Sequence, residues 1–399
     1  MVSEKMNIQM IKKIISQLYL VAACVELMMA ICSECKFEVP YSRFILWGLL
    51  IIYGLKVVCN QYSAREYIFL VLLLFLGVLN YISGGMNAIL KASIFLYALR
   101  GEDYKKIVRY LLGCLVAVSV IMYMRALALG ENDLLCIHDV RLDRGFNGIR
   151  YTFGYTHPNR FMGSLFTAIM MLLCILQPKT RNTLIVSGIC ILTAAVFYYF
   201  TDTRTVFFLM IGIVVLYDLT AWVDRKWMYN LTMIIFAMSF SLEVALSLLA
   251  SCHVDNFGMR VIDKVISGRF QQLGNIEFIK EYAPCYVENW HLFSVYDNQA
   301  GCDLGYAFIF YYYGVIASIV FLAFIVYTAV SIYSQRKYYK FAILTGLCTF
   351  TFMEIYYFSN YITKNLLLIF CAITVWSSRQ GESLNEQKEN NIIDHYSCI

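Results

Sequence analysis

The stretch "TLIVSGICILTAAVFYYFTDTRTVFFLMIGIVVLYDLTAWV", from Thr183 to Val223, decides the fold class of this chain. It contains two apolar runs, each about 18 residues long, which the polar sequence "TDTRT" separates. An α-helix of this length crosses the hydrocarbon core of a bilayer and satisfies its own backbone hydrogen bonds there. The stretch therefore predicts two membrane-spanning helices joined by a short turn at one membrane surface.

The same pattern of apolar runs recurs along the whole chain. Of its 399 residues, 60% are hydrophobic and only 15% are charged, whereas a soluble domain carries about 25% charged residues. We predict an all-α polytopic membrane protein with about twelve spans. The predicted spans are 14–32, 44–59, 67–82, 85–99, 107–128, 161–177, 183–200, 206–223, 229–250, 304–332, 341–357 and 361–377. They form one membrane-embedded domain, residues 1–377, followed by a polar tail, residues 378–399.

Lysines and arginines in the short loops predict the orientation, because short loops rich in these residues stay in the cytoplasm. These cations are Lys5, Lys12, Lys13, Arg65, Arg100, Lys105, Lys106, Arg109, Lys179, Arg181, Arg225, Lys226, Arg336, Lys337 and Lys340. We therefore expect both termini in the cytoplasm. Two long loops, residues 129–160 and 251–303, then face outside together with the turn "TDTRT". Loops of this length are usually functional or disordered.

Arginines on the predicted outer side are the first candidates for a binding site. Arg150 and Arg160 lie in the first long loop, Arg204 lies in the short turn, and Arg269 lies in the second long loop. A planar guanidinium group donates paired hydrogen bonds to phosphate oxygens, so these arginines are candidate ligands of a pyrophosphate group. The alternative is that they are solvated loop charges or contact phospholipid headgroups.

Several classes of ligand have no sequence signal. The chain contains no DxD, HExxH or GxxxxGK[ST] motif and no carboxylate cluster typical of a magnesium or manganese site. The net charge of +5 is small, and no basic tract indicates nucleic acid. We expect no metal ion, no cofactor and no nucleic-acid partner.

The segment "RYTFGYTHPNRFMG", from Arg150 to Gly163, ends the first long loop. Proline restricts the residue before it, so we expect His157 to be extended ahead of Pro158. Asn159 is then placed to cap a helix that begins near Phe161. The imidazole group is left as a candidate base or hydrogen-bond donor, since imidazoles titrate near neutral pH. The alternative is that His157 is a hydrogen-bonded residue at the membrane interface.

Aromatic and polar side chains gather near the end of the second long loop. They are Trp290, His291, Tyr296, Asp297, Asn298 and Asp303. Aromatic rings hold sugars by stacking, and amides and carboxylates hold them by hydrogen bonds. We therefore predict sugar-binding roles for Trp290, His291, Tyr296, Asn298 and Asn159. An aromatic belt at the membrane interface is the alternative.

The middle of the second long loop, "MRVIDKVISGRFQQL", predicts a short amphipathic helix on the outer surface. Its apolar side is expected to contain Val261, Val265 and Ile266, and Arg260 and Lys264 are expected to lie together on another side. Gly268 is a stop signal for this helix and directly precedes Arg269.

Three of these elements resemble the Wzy-type polysaccharide polymerases, which are related to the O-antigen ligases. "FGYTHPN", residues 153–159, resembles the histidine-proline-asparagine motif of that family. "TDTRT", residues 201–205, resembles its arginine-containing turn. "SGR", residues 267–269, followed by "YDNQAG" and "GYAFIFYYYGVI", resembles its large outer loop. The order of these elements agrees over most of the chain.

The resemblance implies a type C-like, metal-independent glycosyltransferase in a bacterial cytoplasmic membrane. Donor and acceptor would be polyprenyl-pyrophosphate-linked oligosaccharides, and the nascent chain would move en bloc onto a new repeat unit with inversion. Related ligases tend to have histidine where this chain has Asp297, so the catalytic base is either Asp297 or His157. The implied partners are membrane lipids and the flippase and chain-length regulator of the same pathway.

Two other functions remain open on the sequence alone. A ligase would use the same donor and transfer the glycan to another acceptor. A transporter of lipid-linked oligosaccharides or polysaccharides would have polar residues along the middle of several spans. The mid-span ionisable residues identified are few, namely Glu26, Lys56, Lys91 and Glu243. We therefore favour the polymerase over the transporter.

Overall fold

A computed structural model of the chain describes residues 2–141, 146–176, 181–223, 225–253, 256–266, 268–273, 285–295, 303–359 and 361–378. Its helices are α1 (Val2–Glu34), α2 (Ser42–Cys59), α3 (Ala64–Gly84), α4 (Ala88–Ala98), α5 (Tyr104–Leu129), α6 (Asn132–Leu135), α7 (Pro158–Ile175), α8 (Arg181–Thr201), α9 (Arg204–Trp222), α10 (Lys226–Ser251), α11 (Phe257–Val265), α12 (Gly305–Tyr313), α13 (Val315–Ser334), α14 (Tyr339–Met353) and α15 (Leu366–Ser378). Residues 379–399, nearly all of the predicted polar tail, lie outside the described residues.

The chain is an all-α polytopic membrane protein. Within the described residues, nine helices are long and apolar enough to cross a membrane. They are α1, α2, α3, α5, α7, α8, α9, α10 and α13. Three further apolar helices, α4, α14 and α15, are shorter than a usual span. The prediction of about twelve spans included these three.

Local sequence explains where the membrane helices begin and end. Ser63 and Glu66 form a reciprocal capping box at the start of α3, and the Asp103 carboxylate accepts a backbone hydrogen bond at the start of α5. Gly85 and Gly130 end the same two helices in the left-handed conformation, which glycine adopts without a steric penalty.

The predicted span 304–332 is wrong as one continuous helix, because the chain breaks at Gly314 into α12 and α13. Gly314 has a φ of +88°, and a Cβ there would lie 2.7 Å from the backbone of Phe293. The backbone N–H of Val315 donates to the carbonyl oxygen of His291 at 2.9 Å. The end of the second long loop therefore occupies the break, and only glycine allows this close approach.

The last two predicted spans are also wrong at their facing ends. α14 stops at Met353 and α15 begins at Leu366, and the described residues between them, 354–359 and 361–365, form no α-helix. They contain only two short 3-10 helices, Ile355–Tyr357 and Ile362–Lys364. We call these described residues the non-helical segment because no α-helix forms there. A side chain of α1 accepts a backbone hydrogen bond from this segment, because the Ile362 N–H donates to Oε1 of Glu26 at 2.9 Å. Backbone of this kind is tolerated next to apolar helices where protein or a polar cavity surrounds it.

The first long loop contains a β-hairpin that the sequence did not predict. Strands β1 (Cys136–Arg141) and β2 (Phe146–Tyr151) pair antiparallel, with Ile137 opposite Arg150. The described parts of the loop continue through residues 152–157 into α7, and the N–H of Thr156 donates to the carbonyl oxygen of Glu34 at 3.0 Å. The hairpin loop is thus fixed to the C-terminal end of α1.

The second long loop contains the predicted amphipathic helix, α11, which confirms this element. Gly268 follows it with a φ of +76°. The predicted apolar side is wrong in part, because Val261 is 46% exposed, whereas Met259, Asp263 and Ile266 are buried. Asp263 belongs to the buried side because its carboxylate accepts a hydrogen bond from the Phe270 N–H at 2.7 Å.

Both long loops meet at the same end of the helix bundle. Thr156 contacts the end of α1, and the N–H of Ser294 donates to Oδ1 of Asn80, near the end of α3, at 2.9 Å. We call this the loop end of the bundle. In the core beneath it, α14 packs between α9 and α10 and also contacts α7 and α12.

Candidate functional site

A polar cavity of about 560 Å³ opens at the loop end of the bundle. The end of α1, the start of α7, Asp303 and side chains of the non-helical segment form its wall. Six of its lining side chains carry a carboxyl, imidazole, guanidinium or ammonium group, and they come from four parts of the chain: Glu34, His157, Arg160, Asp303, Glu354 and Lys364. Charged groups concentrated in a cavity are typical of a binding or catalytic site.

The start of α7 places His157 in this cavity wall. His157 is the N-cap residue, with a φ of −154° and a ψ of 143°, which confirms the predicted extended conformation before Pro158. Its Nδ1 atom accepts a hydrogen bond from the Asn159 N–H at 3.1 Å. The prediction that Asn159 caps the helix is wrong, because proline suits the first helical position and the helix therefore begins at Pro158.

The hydrogen bond to Nδ1 determines which ring nitrogen of neutral His157 carries the proton. An imidazole nitrogen that accepts a hydrogen bond is unprotonated, so the proton of the neutral ring lies on Nε2. His157 in this conformation is therefore a hydrogen-bond donor through Nε2.

Arg150 is completely buried and connects the β-hairpin with two predicted motifs. Its Nε atom donates to the carbonyl oxygen of Thr201 at 2.6 Å, and Nη1 donates to Asp139 at 2.7 Å. Its Nη2 atom donates to Thr203 at 3.1 Å and to Asn159 at 3.3 Å. Arg150 thereby joins the β-hairpin, the "HPN" motif and the "TDTRT" turn, and it does not line the polar cavity.

Arg204 is the first residue of α9, and its side chain is 50% exposed. Its Nε atom lies 3.3 Å from Oδ1 of Asp202 within the same turn. The turn does reach the cavity wall indirectly, since Thr203 donates to Asn159 at 3.3 Å. Arg204 itself is not part of the cavity lining.

Arg160 and Lys364 are the cations that line the cavity. The Arg160 side chain is 52% exposed, and its Nη1 atom lies 3.7 Å from Oε1 of Glu34. Lys364 is buried, forms an ion pair with the same Glu34 oxygen and lies 3.8 Å from the centre of the Tyr356 ring. Glu34 therefore holds two cations at one side of the cavity.

Arg269 lies directly after the turn at Gly268 and contacts Glu354 in the cavity wall. It is only 5% exposed, and its Nη2 atom lies 2.6 Å from Oε1 of Glu354. Its Nη1 atom lies 3.7 Å from Oδ2 of Asp303. Its Nε atom is buried and has no hydrogen-bond partner among the described residues. Arg269 thus orients the Glu354 carboxyl group in the cavity wall.

Burial gives Glu354 an unusual proton affinity. Glu354 follows the last residue of α14 and lies outside the spanning helices. Burial raises its pKa to about 7, and nearby Asp303 acts in the same direction, although the ion pair with Arg269 and the charge of Arg160 oppose the shift. A buried carboxyl group that titrates near neutral pH beside a cavity is typical of acid–base chemistry.

The predicted sugar-binding residues of the second long loop fall into two groups. The Trp290 ring stacks on Phe310 with ring centres 4.6 Å apart, and its indole N–H donates to the carbonyl oxygen of Cys285 at 3.2 Å. His291 is exposed beside the break at Gly314. Neither residue lines the polar cavity. Tyr296, Asp297 and Asn298 lie outside the described residues.

Glu34, Glu354 and Lys364 were not among the site residues predicted from sequence. The available signal was an acid inside the predicted span 341–357 and a lysine inside the predicted span 361–377. Ionisable residues inside apolar spans are functional candidates by default. Pairing between Glu34 and Lys364 could not be predicted, because 330 positions separate them along the chain.

Within the ranges that the structure describes, no three histidine, cysteine, aspartate or glutamate side chains are grouped as metal ligands. Comparisons of the chain with protein-family models, with curated proteins and with solved structures found no match.

Proposed function

We propose that the protein is a Wzy-type polysaccharide polymerase. In this proposal it transfers a growing glycan en bloc from one polyprenyl-pyrophosphate carrier to a sugar hydroxyl of the next lipid-linked repeat unit. Direct displacement inverts the anomeric centre. The product is a capsular polysaccharide, an exopolysaccharide or an O-antigen.

One observation carries the proposal: a polar cavity adjoins an apolar groove at the loop end of the bundle. The groove has a volume of about 90 Å³ and lies between α4, α12, α13 and the non-helical segment. Phe358 and Ser359 line both the groove and the polar cavity. This arrangement suits a substrate with a charged, sugar-bearing head and a long hydrocarbon tail, because each part has a chemically matched surface.

The cations that line the cavity favour a substrate with a pyrophosphate leaving group. Negative charge develops on its oxygens during transfer, and preorganised cationic donors stabilise that charge. Arg160 and Lys364 line the cavity and can do so. Arg150, Arg204 and Arg269 remain pyrophosphate candidates from the sequence, although Arg150 and Arg269 are engaged with internal acceptors in this conformation.

The membrane, the orientation and the pathway partners are proposed from the sequence. We place the protein in a bacterial cytoplasmic membrane with both termini in the cytoplasm and the loop end outside. A flippase and a chain-length regulator would act in the same pathway.

Exposed Cys252 offers a test of the orientation in a variant that lacks the other cysteines, because an impermeant thiol reagent should label it from outside. Labelling of Cys252 only after permeabilisation would contradict this orientation.

The function can be tested with the purified full chain in liposomes that contain polyprenyl-pyrophosphate-linked repeat units and excess EDTA. The polymerase proposal predicts a ladder of longer lipid-linked glycans. Movement of intact units across the bilayer without elongation would indicate a transporter. Transfer of the glycan only to another acceptor would indicate a ligase, and activity that requires magnesium or manganese would contradict the metal-independent mechanism.

A further inference from the structure

Transfer onto a sugar hydroxyl requires a proton acceptor at the polar cavity. This requirement rests on the proposed function, and the sequence left the acceptor open between His157 and Asp297. The titratable groups that the structure places around the cavity can be compared by their contacts.

His157 is poorly arranged to accept this proton. Its Nδ1 lone pair accepts the Asn159 N–H at the N-terminus of α7. Proton transfer to Nδ1 would require loss of this cap, and Nε2 of the neutral ring already carries a proton. His157 is therefore a weaker candidate for the proton acceptor.

Glu34 and Asp303 are weaker candidates for different reasons. Glu34 lies in an ion pair with Lys364 and 3.7 Å from Arg160, so its carboxylate is already engaged by two cations. The Asp303 side chain is 44% exposed, so solvent competes for its oxygens. Lys364 is also a weaker candidate, because its ammonium group forms the ion pair with Glu34.

Glu354 combines a cavity position with restricted geometry. Its carboxyl group lines the cavity and is held through Oε1 by Nη2 of Arg269 at 2.6 Å. The backbone below it is fixed as well, because Gly305 packs so closely on α14 that a Cβ there would clash with the carbonyl oxygen of Thr351. A base must be positioned within hydrogen-bond reach of the proton it removes, and two independent contacts position this one.

We propose that Glu354 is the proton acceptor and that Arg269 positions it. The O–H bond of the acceptor sugar breaks, and its proton moves to a carboxylate oxygen of Glu354. The hydroxyl oxygen forms a bond to the anomeric carbon of the donor. The bond from that carbon to the pyrophosphate oxygen breaks, and its electron pair leaves with the polyprenyl pyrophosphate. The proton then passes from Glu354 to water.

The charged groups facing Glu354 determine its pH response. Arg269 comes from the loop after α11, Asp303 precedes α12, and Arg160 lies in α7. With these neighbours the pKa of Glu354 is raised to about 7 by burial. Activity should therefore increase as the pH rises through about 7, because only the ionised carboxylate accepts the proton.

The test compares Glu354→Gln with Glu243→Gln in the elongation assay over a range of pH. Glu243 is also a buried glutamate, but it contacts Thr349 on α14 and does not line the polar cavity. Glu354→Gln retains a hydrogen-bond acceptor for Arg269 and should lower kcat by roughly 10²–10⁴-fold with little change in donor KM. Glu243→Gln should remain within about threefold of wild type, as expected of a substitution away from the reacting groups.

Each outcome supports or contradicts the assignment of Glu354 as the proton acceptor. A folded Glu354→Gln variant that elongates glycans at the wild-type rate overturns it. If Glu354→Gln does not fold, Glu354→Asp keeps the charge and should retain the increase in activity near pH 7 at a reduced rate; loss of that pH dependence in a folded Glu354→Asp variant supports another base. If wild type itself makes no longer glycan, the proposed function fails and the assignment of Glu354 fails with it.

Discussion

Nη2 of Arg269 lies 2.6 Å from Oε1 of Glu354, and 85 positions separate the two residues along the chain. This ion pair joins the second long loop to the end of α14 at the wall of the polar cavity. Removing one partner of a buried ion pair leaves an uncompensated charge, so the pair makes the loop position depend on the protonation of Glu354.

The raised pKa of Glu354 predicts a pH-dependent contribution to stability. A carboxyl group with a raised folded-state pKa stabilises the fold fully below its unfolded value of 4.5, and this contribution is lost as the pH rises through about 7. The loss is about 3 kcal/mol for a shift of this size. Thermal unfolding of wild type and Glu354→Gln in detergent should diverge between pH 4.5 and 8, with wild type losing stability relative to the variant. If the stabilities of wild type and Glu354→Gln changed in parallel over this pH range, the raised pKa of Glu354 would be contradicted.

Arg150 should be required for folding. Replacement by alanine leaves Asp139, Asn159 and the Thr201 carbonyl oxygen without their shared donor, and breaking a buried pair in this way costs about 3–5 kcal/mol. Arg150→Lys should recover only part of this loss, because an ammonium group lacks the planar geometry that reaches all these acceptors.

The matched control for Arg150 is Arg204→Ala, which removes an exposed arginine from the adjoining turn. Exposed ion pairs contribute about 0–1 kcal/mol, so this variant should unfold near the wild-type temperature. Similar unfolding temperatures for Arg150→Ala and wild type would show that the buried network is dispensable.

Arg160 should matter for turnover more than Arg204, because Arg160 lines the polar cavity and Arg204 does not. If its planar group binds pyrophosphate, Arg160→Lys and Arg160→Ala should both raise the barrier by about 2–4 kcal/mol, as for loss of one preorganised oxyanion donor. Elongation rates of the purified variants give the comparison. A larger loss in Arg204→Ala than in Arg160→Ala would move the pyrophosphate site to the "TDTRT" turn.

Gly305 should not tolerate a side chain. A Cβ at this position would clash with the Thr351 carbonyl oxygen, so Gly305→Ala should separate α12 from α14 and lower the yield of folded protein. Gly113→Ala in α5 is the control, since no atom lies within 4 Å of its Cβ position and alanine favours the helix. Size-exclusion profiles that are equally monodisperse for both variants would argue against tight α12–α14 packing.

The sequence was sufficient to predict the membrane class and the motifs that meet at the loop end. Apolar length alone identifies helices such as α8 and α9, because the bilayer requires it. The motifs "HPN" and "TDTRT" were expected to face the same side, and Asn159 and Thr203 are in hydrogen-bond contact there.

The interruptions of the helices could not be predicted from local sequence. Apolar content is an average over many residues, so the apolar residues around Glu354 and Lys364 masked the non-helical segment between α14 and α15. The break at Gly314 depends on Phe293, which packs on it from the end of the second long loop. Contacts of this kind arise only in the folded bundle, and they also form the polar cavity.

We propose that glycosyl transfer takes place in the polar cavity, and a substitution that fills the cavity tests this location. Ser33 in α1 lines the cavity, whereas Val21 in the same helix is 60% exposed on its outer surface. We would measure initial elongation rates of purified, folded Ser33→Trp and Val21→Trp in liposomes with lipid-linked repeat units. We expect a rate about 100-fold or more below wild type for Ser33→Trp, because the bulky ring displaces the reacting groups, and a rate near wild type for Val21→Trp. Elongation by Ser33→Trp at the wild-type rate would show that transfer takes place outside the polar cavity.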